Sequence, residues 1–266
     1  MLTQYFMVSK NKSISVVILI GGSGSRFSSI KETPKQLSKL NNNYILMHII
    51  NNFKKYGLNH FVFPLGFKKK FFEKFFYSKK NILKYKFNIL KKNFKKKDLN
   101  SNKINISLFD AGKNTNKLSR IFKSFNYLIN DDFLVAYGDD LTNINLNQIF
   151  KKYYKNNKKK ALVTVYKKKS QYGHVIVDKK GVVKKFVEKP PYKHPINIGN
   201  YIFTKNLIKK FRKPHHELEH NFLPILTKRK LLVSYEHKGY FYSINDKKEL
   251  IDAKKKLKKY RWKKIY

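Results

Sequence analysis

Ser15-Val-Val-Ile-Leu-Ile-Gly-Gly-Ser-Gly-Ser-Arg26 decides how this 266-residue chain is read. The run Val16 to Ile20 is apolar without alternation, which suits a parallel strand covered on both faces. It passes straight into glycines, whose backbone lets a ligand approach closely and whose successive N–H groups cradle phosphate oxygens. The stretch has neither the GxGxxG spacing of a dinucleotide fingerprint nor the Gly-Lys-Ser/Thr of a P-loop. On its own it reads either as a phosphate loop or as a plain glycine turn. Arg26 and Lys35 place two cations near the glycines and favour a triphosphate; ordinary surface charge is the alternative.

Outward from this stretch, Tyr44 to Tyr56 has apolar residues at helical spacing and closes on Gly57. His60 to Leu65 reads as a strand and Lys69 to Tyr77 as a helix, giving the β-loop-α-β-α rhythm of a doubly wound sheet. Residues 79–103, rich in Lys and Asn, read as an irregular basic segment. Further strands are expected at Ile104–Phe109, Phe133–Tyr137, Ala161–Val165, Ile198–Phe203, Leu231–Tyr235 and Tyr240–Ile244. His174–Val177 and Val182–Val187 read as a hairpin turned at Asp178-Lys-Lys-Gly181. Helices are expected at Lys117–Leu128, Leu146–Tyr154 and Lys247–Tyr260, the last within a C-terminal helical segment 247–266. With no repeat and no Gly/Ser/Pro linker, the expectation is one α/β domain over residues 1–266, with 1–13 as an N-terminal extension. Its sheet should be Rossmann-like, mixed and mostly parallel, with flanking helices.

Composition narrows the function. Hydrophobic residues at 41% and aromatics at 15% supply a core and exclude wholesale disorder. Cysteine is absent, which excludes a disulfide scaffold, a thiolate zinc site and a cysteine nucleophile. No apolar run approaches the roughly 18 residues of a membrane span, and MLTQYFMVSKNKS lacks a signal-peptide core, so the expected location is the cytoplasm, with no membrane partner. Lys+Arg 60 against Asp+Glu 16 gives a net charge of +44. Such a field attracts polyanions. The lysines, however, are spread along the chain beside abundant Asn, Ile, Phe and Tyr. That pattern favours compositional drift over a dedicated binding face, and no specific nucleic-acid partner is expected.

Acidic residues are scarce, so Tyr137-Gly-Asp-Asp140 at the end of an apolar strand is informative. Open α/β sheets bind ligands at such ends, and an Asp there can hold Mg²⁺ against phosphate; a turn or helix-capping Asp is the alternative.

GGSGSRFSSIKETPKQL (residues 21–37) resembles the nucleotide-binding signature of the sugar-1-phosphate nucleotidylyltransferases, G-G-x-G-[ST]-R-[LF] followed by P-K. Tyr44 to Phe76 is similar to the glucose-1-phosphate cytidylyltransferase branch of that family. So are Asp110-Ala-Gly-Lys-Asn-Thr115 with Arg120, Tyr137-Gly-Asp139, Glu188-Lys-Pro190, Ile196-Asn-Ile-Gly199 and Tyr235-Glu-His-Lys-Gly239. The matches run in order from about residue 14 to 250.

The resemblance implies the nucleotide-diphospho-sugar transferase fold and a Mg²⁺-dependent reaction of a nucleoside triphosphate, most closely CTP, with a sugar 1-phosphate such as glucose 1-phosphate. It implies that Leu19, Ile20, Gly21, Gly22, Ser23, Gly24, Ser25 and Arg26 hold the nucleotide, joined by Lys35, Thr115, Arg120 and Gly138. Asp139 matches the Mg²⁺ ligand; Gly173, Glu188, Lys189 and Asn197 match the sugar-phosphate site. Arg26, Lys35, Asp139 and Lys189 form the implied catalytic set. The sugar phosphate is already an anionic nucleophile, so no strong base is needed, only offset of charge.

Two positions depart from the pattern. Where the family has a second metal-binding Asp, alignment on Glu236-His237-Gly239 puts Asn245, with Ser243 and Asp246 as alternatives. Where it has a glycine pair before the arginine, this chain has Leu118-Ser119, in a loop that helps choose nucleotide and sugar. UTP or dTTP in place of CTP, and a non-catalytic relative, therefore stay open. Family members assemble, so a homo-oligomer is also open, against the repulsion of so positive a chain.

Overall fold

The computed structural model describes residues 14–20, 33–155 and 160–257. Eight strands form one mixed sheet: β1 (Ser15–Leu19), β4 (His60–Leu65), β5 (Phe87–Ile89), β6 (Ile104–Asp110), β7 (Asp132–Tyr137), β9 (Ala161–Tyr166), β12 (Ile196–Thr204) and β13 (Leu232–His237). Their order is β13-β9-β12-β7-β1-β4-β6-β5. β12 runs antiparallel to β7 and β9, and the other pairings are parallel. Short pairs complete the strands: β2 (Lys39–Leu40) with β3 (Asn43–Tyr44), β8 (Asp140–Thr142) with β14 (Phe241–Ser243), and the hairpin β10 (His174–Val177) with β11 (Val183–Val187).

The unbroken apolar run of β1 reflects burial on both faces. Val16 and Ile18 enter one core with α1 (Ile45–Lys54), α2 (Lys69–Tyr77), α5 (Leu146–Lys155) and α8 (Lys247–Leu257). Val17 and Leu19 enter a second core with α4 (Lys117–Lys123), α6 (Lys205–Phe211) and α7 (Leu223–Lys228). β7 divides likewise, Leu134 and Ala136 to the first core, Phe133 and Val135 to the second. Helix starts are fixed locally: Asn116 Oδ1 accepts from Ser119 N at 2.9 Å before α4, and Thr204 Oγ1 from Leu207 N at 3.0 Å before α6.

The chain leaves β1 for β4 on one side and later returns to β7 on the other. Strand order therefore reverses between β1 and β7, which opens a crevice beyond their carboxyl ends.

Residues 79–103 correct the expectation of an irregular segment. They hold α3 (Lys79–Tyr85), the edge strand β5 and a 3₁₀ turn at Lys96–Asp98. The lysines stay at the surface while Ile82, Tyr85 and Phe87 pack on the first core, so spaced apolar residues organise a stretch whose composition reads as loop. The helix expected over Lys117–Leu128 stops at Lys123 and continues as a 3₁₀ turn, Ser124–Tyr127. The N-terminal extension 1–13 and the end of the chain, 258–266, lie outside the described residues.

A neutral histidine is built into the sheet. Ser15 Oγ accepts from Ile129 N at 3.0 Å and hydrogen-bonds His60 Nδ1, also at 3.0 Å. His60 Nε2 hydrogen-bonds Ser107 Oγ at 3.1 Å, so the neutral ring donates to one serine and accepts from the other. Burial lowers the His60 pKa from 6.5 to about 4. The unfolded chain consequently binds this proton first as pH falls. Stability should be intact above about pH 6.5 and decline towards pH 4, by about 3 kcal/mol from this residue. Urea unfolding of wild type and His60→Asn at pH 7 and pH 4.5 checks this: the wild type should lose more stability between the two.

Candidate active site

Two groups of predicted residues meet around the carboxyl ends of β1, β6 and β7, and a third lies on the segment joining β9 to β12. Of the third, Asn197 reaches the same end through Tyr201, while Gly173, Glu188 and Lys189 contact one another on the hairpin. In the first, Gly138 N donates to Leu19 O at 3.1 Å, and a Cβ on Gly138 would lie 2.4 Å from Ile20 Cγ2, so only glycine lets the two strand ends close. Arg120, buried on the first turns of α4, donates from Nη1 to Ile20 O at 2.8 Å and from Nε to Thr115 O at 2.9 Å. Thr115 Oγ1 in turn donates to Ala111 O at 2.5 Å. Arg120 thus ties the end of β1 to the loop after β6, with its guanidinium set on backbone carbonyls. A Cβ on Gly66, after β4, would meet Arg120 Nη2 at 2.4 Å. That glycine makes room for the arginine and carried no signal in the sequence reading. Gly21, Gly22, Ser23, Gly24, Ser25 and Arg26 lie outside the described residues.

The second group contains the candidate metal ligand. Lys35 Nζ stands 2.5 Å from Asp139 Oδ2, with side chains 13% and 24% exposed, so the carboxylate is shielded yet reachable. Lys35 begins a 3₁₀ turn after Pro34, at the far end of the stretch that starts at Gly21. The β8–β14 pairing sets Ser243 opposite Asp140 and puts Ile244 N 3.0 Å from Asp139 O, which brings Asn245 to the same end of the sheet. Asn245 Nδ2 donates to Ser243 Oγ at 3.2 Å, and Ser243 hydrogen-bonds Asp140. Asp246 Oδ1 accepts from Glu249 N at 2.7 Å, in the role of a helix cap for α8. Asp140 is buried; desolvation first, and then the charge of Asp139, raise its pKa above the usual carboxylate range, while the Ser243 hydrogen bond works the other way.

These donors fit Mg²⁺. A hard cation of this size takes oxygen ligands, commonly one or two protein carboxylates with phosphates and water completing the shell. Asp139 supplies a reachable carboxylate and Asn245 an amide oxygen. Among the described residues no group of three or more His, Asp or Glu side chains gathers, so much of such a shell falls to substrate and water.

The third group belongs to the segment joining β9 to β12. Gly173 lies at the base of the β10–β11 hairpin, where a Cβ would come within 2.5 Å of Phe186 Cζ and 3.0 Å of Glu188 Oε2. Glu188 and Lys189 follow β11, ion-paired at 3.2 Å and largely exposed, with Lys189 in the left-handed region at φ 47°. The hairpin base is tied down by Ser170 N to Pro190 O at 2.7 Å and Tyr192 N to Lys168 O at 3.0 Å. Asn197, exposed near the start of β12, accepts on Oδ1 from Gly199 N at 3.0 Å and donates from Nδ2 to Tyr201 Oη at 2.6 Å. Gly199 sits at φ 68° in an irregularity of β12, and a Cβ there would be 2.5 Å from Tyr137.

Residues the sequence reading missed lie against Asn197. Tyr137 and Tyr201 hydroxyls meet at 3.1 Å, and Tyr137 also hydrogen-bonds Glu219, which Lys117 holds from the other side. Lys117 Nζ lies 4.6 Å from the Tyr137 ring centroid. Burial works against ionisation of Glu219, but the hydrogen bonds from Lys117 and Tyr137 outweigh it and lower its pKa. Among the described residues no helix is long and apolar enough to cross a membrane.

A Bacillus subtilis protein named probable glucose-1-phosphate cytidylyltransferase is 29% identical over 253 residues, covering 91% of this chain and 95% of its own. The glucose-1-phosphate cytidylyltransferase of Salmonella typhimurium is 25% identical over 237 residues, covering 86% and 90%. The solved structure of a UDP-glucose pyrophosphorylase complexed with UDP-glucose has the same fold, with a TM-score of 0.66 at 22% identity over 94% of this chain and 100% of that one. The sequence profile described as Nucleotidyl transferase matches residues 15–260. That match spans nearly the whole chain, from β1 past α8, and the chain belongs to the nucleotidyl transferase family.

Proposed function

We propose that the protein transfers a nucleotidyl group from CTP to glucose 1-phosphate, releasing pyrophosphate. The observation that carries this reading is the Asp139–Lys35 pair at the β1/β7 crevice, with the Asn197 cluster beside it. A carboxylate able to hold a hard cation, with an ammonium next to it, is what two phosphate-bearing substrates need in order to approach each other. The names carried by the Bacillus and Salmonella relatives favour CTP and glucose 1-phosphate over other pairs.

A phosphate oxygen of the sugar phosphate attacks the α-phosphorus of the triphosphate, a P–O bond forms there, and the bond to the pyrophosphate leaving group breaks. Mg²⁺, when bound at Asp139 and Asn245, offsets charge on the phosphates. Lys35 and Arg26 stabilise the pyrophosphate as its charge grows. Lys189 draws in the sugar phosphate, and Glu188 and Asn197 hydrogen-bond the sugar. Arg120 holds the Ile20 and Thr115 carbonyls, so its part is to shape the nucleotide loop.

The test is pyrophosphate release with Mg²⁺ and glucose 1-phosphate against CTP, UTP, dTTP, ATP and GTP in separate reactions. Turnover with CTP well above the other four is expected. Turnover with a different nucleotide keeps the reaction and replaces the specificity. Silence with all five, and across a wider panel of sugar phosphates, overturns the enzymatic reading.

A further inference from the structure

Glu219 lies on a single π-helical turn, Leu218–Phe222, between the Ile196–Gly199 and Tyr235–Gly239 motifs and within neither. Such turns recur at functional sites. Its carboxylate begins a chain of hydrogen bonds that ends on Asn197. An ionised carboxylate only accepts, so Tyr137 must give its single hydroxyl proton to Glu219. Tyr137 then has only lone pairs for Tyr201, which makes Tyr201 the donor across their 3.1 Å contact. Tyr201 in turn has only lone pairs for Asn197, whose Nδ2 donates to it at 2.6 Å. The other end of the same amide, Oδ1, accepts from Gly199 N at 3.0 Å.

We infer that Glu219 is a positioning residue for the sugar site: through Tyr137 and Tyr201 it fixes which way the Asn197 amide faces. The inference rests on the proposed role of Asn197 in binding sugar hydroxyls. With one N–H given to Tyr201 and the oxygen given to Gly199, the amide keeps one N–H donor for a ligand, suited to a hydroxyl lone pair. Without the carboxylate, the two tyrosine hydroxyls could reverse, turning the Tyr201 O–H towards Nδ2 while Gly199 N still holds Oδ1. Donor then faces donor, the amide is pushed off its seat and the ligand-facing N–H is misdirected. The relay has the burial it needs. Tyr201 is fully buried, and burial raises the pKa of both tyrosines, that of Tyr201 to about 12, so both protons are present at neutral pH. Lys117 keeps Glu219 in the accepting form.

The experiment is steady-state kinetics on the full chain for Asn197→Ala, Glu219→Ala, Tyr137→Phe and the double variant Asn197→Ala/Glu219→Ala, with melting temperatures measured alongside. Glu219→Ala is expected to raise the KM for glucose 1-phosphate ~10-fold, with the KM for CTP within about twofold and kcat within about threefold. Glu219→Gln, which keeps an acceptor, should recover part of that loss. Tyr137→Phe cuts the chain while keeping the ring in its packing; it should reproduce the effect, and it carries the test if Glu219→Ala does not fold. The double variant should be no worse than Asn197→Ala, because both remove the same contact. If Asn197→Ala raises the sugar-phosphate KM but Glu219→Ala and Tyr137→Phe do not, the relay is wrong and the sugar site stands. If Asn197→Ala itself leaves that KM unchanged, the sugar site is wrong and the relay falls with it. A rise in both KM values together with a lower melting temperature reduces Glu219 to a structural role.

Discussion

Asp139→Ala is expected to lower kcat by on the order of 10³, about 4 kcal/mol of transition-state stabilisation. The loss has two sources. The carboxylate is the principal candidate for holding the cation between the two substrates, and the amide of Asn245 is a weaker oxygen donor that cannot replace its charge. Lys35, 13% exposed and 2.5 Å from Asp139 Oδ2, also loses its counter-charge. A half-buried ammonium without its partner is a cost to the fold, so stability must be separated from chemistry. Asp139→Asn does this: it keeps the volume and leaves the backbone bond from Ile244 N to Asp139 O in place. It should show a comparable loss of kcat, a near-native melting temperature and a weaker response to added Mg²⁺. Near-normal turnover in either variant would remove Asp139 from the mechanism.

The second large effect is expected at Lys189. Lys189→Ala should raise the KM for glucose 1-phosphate by on the order of 10² while changing the KM for CTP little, because a charge-assisted contact to a phosphate is lost at one substrate only. The side chain is 60% exposed and its partner Glu188 59%, so the pair adds little to stability and the melting temperature should not move. Lys189 adopts φ 47°, and alanine inherits that strain without relieving it, so the backbone stays the same problem in both proteins. Lys189→Arg keeps the charge and should recover most of the affinity. An equal rise in both KM values would mean that the hairpin end has been assigned to the wrong substrate.

The +44 charge bears on both measurements. Anionic substrates are attracted from a distance by a field that salt screens, with a Debye length of about 8 Å at 0.15 M. Variants should therefore be compared at fixed ionic strength, since removing one lysine among so many changes the local contact far more than the overall field.

Much of this protein is legible along the chain. The unbroken run from Val16 to Ile20 specifies a strand buried on both faces, because every second residue enters a different core. Helical spacing and stop residues place α1 and α2 to within a residue or two. Gly138 and Asp139 are readable because an apolar strand followed by Gly-Asp marks a ligand-bearing strand end, and Lys35 because it is a cation near the Gly21–Arg26 stretch. Composition misled at residues 79–103, where frequent lysine hid the apolar positions that hold α3 and β5 in place.

Periodicity along the chain specifies the mixed α/β sheet and the strand end that carries Asp139, and motif resemblance points to Lys189, after β11, and to Asn197, on β12. How these positions are wired together is a property of the folded chain. β8 and β14 are three residues each, too short for any period, and they find one another across about a hundred residues; their register is what sets Ser243 against Asp140 and carries Asn245 to the end of β7. Arg120 turned inward to backbone carbonyls because the folded chain brings Ile20 and Thr115 within its reach. Glu219 gave no signal at all, since a carboxylate acquires its meaning here from Tyr137, Tyr201 and Asn197, which only the closed sheet places in one hydrogen-bonded line. Periodicity is a property of neighbours along the chain, whereas donor–acceptor matching depends on neighbours in space.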